Sequence, residues 1–165
     1  MEIAIISDSH IPSREPGIPE WALERIREAD HTIHAGDFDS SGALADLRHS
    51  ATRLTAVRGN MDPVALGLPE VNSVRLGGVE FVLTHGTGPK QGYKKRVASA
   101  VSENKSDGPT VGIAGHTHEP MDETIDGIRV LNPGSVTGAS PASEETMMIA
   151  DVADGNLSVS LLSGE

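Results

Sequence analysis

The sequence of 165 residues contains no cysteine. Disulfide bonds, thiolate metal sites and a cysteine nucleophile are therefore excluded, and metal ligands would have to be histidine, carboxylate or amide side chains. The absence of cysteine fits a cytoplasmic protein, and no signal-peptide pattern precedes the first predicted strand, which begins at residue 2. We therefore expect a cytoplasmic location.

Basic residues are scarce, because 13 lysines and arginines stand against 24 aspartates and glutamates, for a formal net charge of -11. Affinity for nucleic acid comes mostly from basic side chains that neutralise phosphates, so this balance argues against a nucleic-acid duplex as a partner. No apolar run approaches the length of a membrane span, and we expect no membrane partner. The acidic excess fits solubility at high ionic strength and equally an ordinary acidic protein.

Aromatic residues make up only 2% of the chain, so aliphatic residues and alanine have to fill the core. The length matches one domain of ordinary size, whereas two domains would each be small. We therefore expect residues 1–165 to form a single domain, and a homo-oligomer is left open.

Apolar runs alternate with amphipathic segments over the first two thirds of the chain, which is typical of parallel strands with helices outside. The apolar runs of the predicted strands cover residues 3–6, 32–35, 54–57, 81–84 and 110–114. Helical spacing of apolar residues appears at 18–29, at 40–47 with Ser40 or Ser41 as the cap, and at 93–101. Turn residues at 77–78, 126–127 and 154–155 predict three hairpins, and the combination predicts two packed sheets.

Polar side chains of the metal-ligating kind follow each of the five predicted strands. They are Asp8, His10, Asp37, Asn60, His85, His116 and His118. Because the carboxyl ends of parallel strands lie along one edge of a sheet, these side chains could meet there. Asp8 and His10 are two residues apart, so in an extended segment they would share a face. The same spacing recurs in His116 and His118.

This mixture of carboxylate, amide and imidazole groups predicts a metal site. Such ligands suit manganese or iron, with zinc, nickel or cobalt also possible. If Asp37 bridges two ions about 3.5–4 Å apart, the ions would polarise a phosphoryl oxygen and activate a water between them.

Each candidate also has a purely structural interpretation. Asp8 alone could cap a turn, Asp37 after Gly36 could belong to a turn, and His85 could be a hydrogen-bonded buried histidine. The segment Gly115-His116-Thr117-His118 is more specific, and five such sites in order, each directly after an apolar run, are hard to explain by coincidence.

In order and spacing these residues resemble the calcineurin-like metallophosphoesterase superfamily, and within it the small single-domain phosphodiesterases that have the retromer sorting subunit as a relative. The matching segments, which include Asn132-Pro133-Gly134-Ser135, extend from residue 8 to residue 135. The resemblance implies an α/β fold, a four-layer αββα sandwich of two mixed β-sheets flanked by helices. It also implies hydrolysis of phosphoric esters, commonly supported by manganese or nickel.

The resemblance implies two ions that share one bridging carboxylate, Asp37. One ion would be held by Asp8, His10, Asp37 and His118, and the other by Asp37, Asn60, His85 and His116. We expect Asp37, Asn60 and His116 to take part in catalysis.

The chain departs from many larger relatives directly after Asn60. Those relatives carry a His-Glu pair whose histidine assists the leaving group, whereas this chain has Met61-Asp62. Methionine cannot donate a proton, so expulsion of a poor alkoxide leaving group would need another acid. Asp62 could orient the Asn60 amide or form a turn before Pro63. Similar small relatives also lack the histidine and resemble phosphodiesterases that prefer activated esters.

Several other polar residues have structural interpretations. We expect Arg58 to pair with an acidic surface residue, and the run Lys94-Lys95-Arg96 to form the solvated face of its helix. His31, His34 and His49 match no ligand position.

The sequence therefore predicts a dinuclear, metal-dependent phosphodiesterase that hydrolyses a small phosphoester by attack of metal-activated water. A phosphomonoesterase acting at the same site is one alternative. The other is a protein-binding scaffold with a vestigial metal site, as the resemblance to the retromer relative suggests.

Overall fold

Two five-stranded β-sheets pack face to face in the computed structural model, which describes residues 1–164. Numbered in chain order, the strands of the first sheet are β1 (Glu2–Ile6), β2 (His31–His34), β3 (Leu54–Ala56), β9 (Thr146–Ala153) and β10 (Asn156–Ser163). Those of the second are β4 (Val71–Leu76), β5 (Val79–Thr84), β6 (Thr110–Ile113), β7 (Met121–Ile125) and β8 (Ile128–Asn132). Their spatial orders are β10-β9-β1-β2-β3 and β4-β5-β6-β8-β7.

Both sheets are mixed. In the first, β1, β2 and β3 are parallel neighbours, while β9 pairs antiparallel with β1 and with β10. In the second, β5, β6 and β8 are parallel, and β4 and β7 are antiparallel edge strands. The three predicted hairpins are confirmed as β4-β5, β7-β8 and β9-β10.

Three helices cover the outer faces of the sheets, namely α1 (Glu20–Glu28), α2 (Ser41–Ser50) and α3 (Tyr93–Asn104). The first two pack on the first sheet and α3 packs on the second. Ser40 rather than Ser41 caps α2, because its hydroxyl accepts a hydrogen bond from the amide of Ala43 at 3.1 Å. The predicted four-layer αββα sandwich is confirmed.

The strand β1 shows why the apolar runs are continuous rather than alternating. Ile3 and Ile5 pack between the two sheets, whereas Ala4 and Ile6 pack against the layer of α1 and α2. A strand that is covered on both faces needs apolar side chains at every position. The chain therefore has to become polar abruptly where such a strand ends, and the candidate ligands stand at those points.

Among residues 1–164, no helix combines the length and the apolar character that a membrane crossing requires.

Candidate metal centre

All seven predicted ligands lie in loops at the carboxyl ends of parallel strands, and both sheets contribute. Asp8, His10, Asp37 and Asn60 follow strands β1, β2 and β3 of the first sheet, while His85, His116 and His118 follow β5 and β6 of the second. The seam between the sheets therefore carries the site.

The backbone at these positions differs from the extended conformation expected from the two-residue spacing. Five of the predicted ligands have positive φ angles: Asp8 (53°), His10 (47°), Asp37 (66°), His116 (75°) and His118 (63°). The expectation that neighbouring ligands share the face of an extended segment was therefore wrong. Left-handed backbone costs of order 1–3 kcal/mol per non-glycine residue, and such strain concentrates at functional sites.

Five of the seven side chains form a buried group that we call the closed cluster: Asp8, His10, Asp37, His85 and His118. The Asp8 Oδ1 atom lies 3.3 Å from His118 Nε2, 3.7 Å from His10 Nε2 and 3.8 Å from His85 Nε2. The Asp37 Oδ2 atom lies 3.1 Å from His85 Nε2 and 3.5 Å from His10 Nε2. Both carboxylates thus stand between histidines of the two sheets.

The outer nitrogen of each histidine in the closed cluster is fixed by an oxygen. His10 Nδ1 lies 2.9 Å from Asp39 Oδ2, His85 Nδ1 lies 2.7 Å from the Ala35 carbonyl, and His118 Nδ1 lies 2.8 Å from the Ala139 carbonyl. A carbonyl or carboxylate oxygen only accepts hydrogen bonds, so each Nδ1 carries its proton and donates. The inner Nε2 atoms of the neutral rings are consequently acceptors.

The closed cluster therefore contains acceptors that face acceptors. The Nε2 atoms of His10 and His118 are 3.2 Å apart. Asp8 Oδ1 and His85 Nε2 are buried without a hydrogen-bond partner in the described part of the chain, residues 1–164. Leaving a buried polar atom unpaired costs about 1–3 kcal/mol, so this arrangement calls for a cation.

The donor set fits divalent metal. Bonds of about 2.0–2.2 Å from nitrogen and oxygen ligands to an ion bring neighbouring ligand atoms to roughly 3–3.5 Å from each other. The separations in the closed cluster, 3.1–3.8 Å, lie close to that range. Two three-residue groups within the closed cluster have suitable geometry, Asp8 with His10 and His118, and Asp8 with Asp37 and His85. A third group, Asp37 with Asp39 and Asp62, lies beside the cluster.

The electrostatics of the closed cluster point the same way. Burial lowers the pKa of His85, but its ion pair with Asp37 and the charge of Asp8 outweigh burial and raise the pKa to about 9. Burial raises the pKa of Asp8, but its ion pairs with His10 and His118 and the charge of His85 outweigh burial and hold the pKa well below its ordinary value. Without metal the carboxylates retain a proton on His85, and metal binding has to displace that proton.

The remaining two predicted ligands, Asn60 and His116, form what we call the open pair. His116 Nδ1 lies 3.0 Å from Asn60 Oδ1, and its Nε2–H donates to the Gly88 carbonyl at 2.8 Å. Asn60 is exposed and His116 is half-buried. The ring of His116 stands edge-on to that of His85, with centroids 5.2 Å apart. The open pair thus borders the closed cluster on its solvent side.

Asp62 connects the loops after β2 and β3. Its carboxylate accepts hydrogen bonds from the amides of Asp37 at 2.9 Å, Asp39 at 2.8 Å and Gly59 at 2.8 Å. Its own amide donates to the Gly59 carbonyl at 3.2 Å, which closes a turn. The turn interpretation is therefore confirmed, and the idea that Asp62 orients the Asn60 amide was wrong because both of its oxygens are engaged by the backbone.

The segment 132–135 lies against the site. The Asn132 amide nitrogen donates to the Gly115 carbonyl and to Thr117 Oγ1, both at 3.0 Å. The Ser135 hydroxyl donates to the Asp8 carbonyl at 2.7 Å. Two of the loops that carry ligands are therefore fastened by this turn, whose position next to the site was expected from the family resemblance alone.

Sequence reasoning missed two supporting residues, Asp39 and Arg96. Asp39 holds His10, and its spacing two residues after Asp37 was the available signal. Arg96 Nη2 donates to the carbonyls of Gly86 and Pro89, both at 2.9 Å. The prediction that Arg96 belongs to the solvated face of its helix was therefore wrong. Arg96 is half-buried under the loop that presents Gly88 to His116.

The other polar residues adopt structural roles. Arg58 pairs with Glu70 at 2.6 Å, as predicted. His31 contacts Thr55 Oγ1 at 2.8 Å, and His49 is exposed. His34 contacts Ser9 Oγ at 3.0 Å, and burial lowers its pKa to about 3. Lys94 pairs with Glu123 at 2.8 Å.

Comparison with known proteins agrees with this geometry. Residues 1–155 match the calcineurin-like phosphoesterase superfamily domain. A probable metallophosphoesterase of Methanothermobacter thermautotrophicus is 35% identical over 143 residues, which cover 83% of this chain and 78% of that protein. A phosphodiesterase of Methanocaldococcus jannaschii is 29% identical, with 84% and 86% of the two chains covered. The crystal structure of Vps29 from Chaetomium thermophilum has a TM-score of 0.79 over 99% and 97% of the chains, and at 21% identity it shows the fold alone.

Proposed function

Because the chain belongs to the calcineurin-like phosphoesterase superfamily, we propose that it is a dinuclear, metal-dependent phosphodiesterase acting on a small phosphoester. The carrying observation is the closed cluster, in which buried histidine nitrogens and carboxylate oxygens lie 3.1–3.8 Å apart and the carboxylates attract a positive charge. Burying these polar groups and straining the backbone that carries them both cost free energy. We take the binding of cations to be the purpose of this arrangement.

One ion is assigned to Asp8, His10, Asp37 and His118, and the other to Asp37, Asn60, His85 and His116. Asp37 would be the shared ligand, which its Oδ2 supports by lying 3.5 Å from His10 Nε2 and 3.1 Å from His85 Nε2. When bound, the metal supplies Lewis acidity and a water of lowered pKa as the nucleophile. Manganese is the first choice, with nickel, iron, zinc and cobalt as alternatives.

The side chains of the site have separate tasks. The oxygens that hold the outer histidine nitrogens aim the inner nitrogens inward, where a bound cation would take the place of the proton on His85. Asn60 and His116, which lie at the solvent side, are the ligands that the phosphoryl group of a substrate meets first. Met61 cannot donate a proton to the leaving group, so the reaction favours esters whose alcohol leaves without one.

The single-domain organisation and the cytoplasmic location stay predictions from the sequence. An enzyme is favoured over a scaffold because every ligand position is occupied by a side chain that can coordinate metal.

The first test is hydrolysis after metal reconstitution. Chelator-treated protein given back manganese should bind two ions per chain and cleave a bis-aryl phosphate faster than a mono-aryl phosphate. Asp37→Asn should remove this activity, whereas the matched change Asp46→Asn, at an exposed position of α2, should leave it intact.

Two results would change the assignment. Faster cleavage of the monoester would identify a phosphomonoesterase. The absence of hydrolysis with any of the five metals, together with one protein partner recovered in stoichiometric amount, would identify a scaffold.

A further inference from the structure

The exposed apolar side chains are not evenly distributed. Among residues 1–164, four large apolar side chains are strongly exposed: Met1 (53%), Met61 (47%), Val64 (77%) and Leu161 (51%). Met61 and Val64 both lie in the short segment that directly follows Asn60. Single exposed apolar residues are ordinary, but a group of them beside a reactive site is typical of a ligand-binding surface.

A cleft opens next to this segment. It has a volume of about 420 Å³, and both Asn60 and His85 line it, so it is continuous with the candidate metal centre. Its apolar wall is formed by Val64, Val71 and Ala100. The volume lies within the range of about 300–1,000 Å³ that is typical of small-molecule sites.

The charged residues around the cleft are already paired. Arg58 is bound to Glu70 at 2.6 Å, and Arg96 donates to two carbonyls of the 86–89 loop. The carboxylate of Asp62 accepts three backbone hydrogen bonds. The cleft therefore favours an uncharged occupant over an anionic or cationic one.

A second groove flanks the site but differs in chemistry. It has a volume of about 720 Å³ and is lined by ion pairs, Lys90 with Glu119 at 2.9 Å and Lys94 with Glu123 at 2.8 Å. None of the seven predicted ligands lines this groove. Met121 does, which provides a reporter for it.

From these contrasts we infer that the Met61–Val64 segment and the adjoining cleft bind an uncharged, apolar ester arm of the substrate, of the size of an aryl group. This inference rests on the proposed phosphodiesterase function, since a phosphoryl group held by the metal centre would direct one of its ester oxygens into the cleft. Met61 then contributes an apolar contact to the arm in place of a proton.

The experiment observes the methionine methyl groups by nuclear magnetic resonance. The chain has five methionines. Met61 does not line the cleft itself but stands between two lining residues, Asn60 and Asp62, so its methyl group reports on the rim, whereas Met121 lines the second groove. Zinc-loaded protein with ¹³C-labelled methionine methyls is titrated with methyl phenylphosphonate and, separately, with methyl methylphosphonate. Both probes are monoanions that resemble a phosphodiester, and they differ only in the apolar arm.

The phenyl probe should shift the Met61 signal and leave Met121 unchanged, while the methyl probe should affect Met61 much less. The double variant Met61→Ser with Val64→Ser should bind the phenyl probe about tenfold more weakly, and its affinity for the methyl probe should hardly change. Leu161→Ser, which removes an equally exposed apolar side chain on β10, is the matched control and should change neither.

Three results would overturn the inference: a shift of Met121 instead of Met61, equal affinity for the two probes, or an unchanged affinity of the double variant for the phenyl probe. These outcomes are independent of turnover. If the reconstituted protein cleaves no aryl phosphoester, the proposed function fails and the methyl signals still decide where the arm binds. If the protein cleaves aryl phosphoesters while the phenyl probe leaves the Met61 signal unchanged, only this inference fails.

Discussion

The closed cluster and the open pair are two halves of one site that are built in different ways. Every member of the closed cluster is buried, and its histidines are held from behind by Asp39 and by the carbonyls of Ala35 and Ala139. The open pair is exposed or half-buried, and its His116 is held by the 86–89 loop. The first half is part of the packed seam between the sheets, whereas the second depends on loops.

The two halves of the site are therefore suited to different tasks. Ligands on the packed seam are pre-positioned, which strengthens metal binding because little ordering remains to be done. Ligands on loops at the solvent side are accessible to a substrate. We therefore expect the two ions to differ in affinity, with the tighter one in the closed cluster.

The largest expected effect comes from breaking the closed half. Asp8→Ala removes the oxygen that lies within 3.8 Å of three histidine nitrogens, so both ions and all hydrolysis should be lost. Asn60→Ala, in the open half, should lose only the weaker ion. Elemental analysis of the dialysed proteins measures both contents, and circular dichroism checks that the variants are folded. Retention of two ions by Asp8→Ala would show that the closed cluster does not organise the site.

A smaller effect should follow from a substitution outside the open pair that removes the support of His116. Arg96→Gln removes the guanidinium that fastens the 86–89 loop, so Gly88 no longer holds His116 firmly. Loss of such an outer contact typically weakens metal binding about 10- to 100-fold. Calorimetric titration should show this loss for the weaker ion only, because the closed cluster has its own supports.

The neighbouring change Lys95→Gln is the matched control, since Lys95 is exposed on the same helix. Equal weakening of both ions by Arg96→Gln would indicate general destabilisation, and no weakening would mean that the loop needs no anchor.

The smallest expected effect on the site concerns His34, which supports the closed half through Ser9 between Asp8 and His10. Its folded pKa of about 3 lies below the ordinary value of 6.5, so below pH 6.5 the unfolded chain binds a proton that the folded chain excludes. The contribution of His34 is therefore complete above pH 6.5 and falls by about 1.4 kcal/mol per pH unit below it.

His34→Asn keeps an acceptor for the Gly36 amide and removes this titration. Chemical denaturation of both proteins at pH about 7.5 and about 5 should show that the stability deficit of the variant shrinks by about 2 kcal/mol at the lower pH. A deficit that is the same at both pH values would mean that His34 becomes protonated within the folded protein.

The fold could be predicted largely from the sequence. The strands were visible as short apolar runs because β1 and its parallel neighbours are covered on both faces, and the hairpins were visible as paired turn residues. The residue at which α2 begins was less certain, because Ser40 and Ser41 are chemically equivalent as caps and only the local backbone geometry selects Ser40.

The site was only partly predictable. The identities of Asp8, Asp37 and His85 as candidates followed from their positions after strands. Their arrangement did not, because the backbone there is left-handed rather than extended, and because the supports come from distant segments. Arg96 illustrates this limit, since its spacing after Tyr93 places it beside the apolar face of α3 but does not indicate that it donates to a loop.

The sequence by itself determined which side chains are available for chemistry and where each strand stops, since both follow from the local change from apolar to polar residues. Only the tertiary structure decided which atoms meet. The contact between Asp8 and His118 joins residues from different sheets, and its geometry depends on how those sheets pack. The division into a buried and an exposed half likewise follows from packing, because burial is a property of the assembled layers.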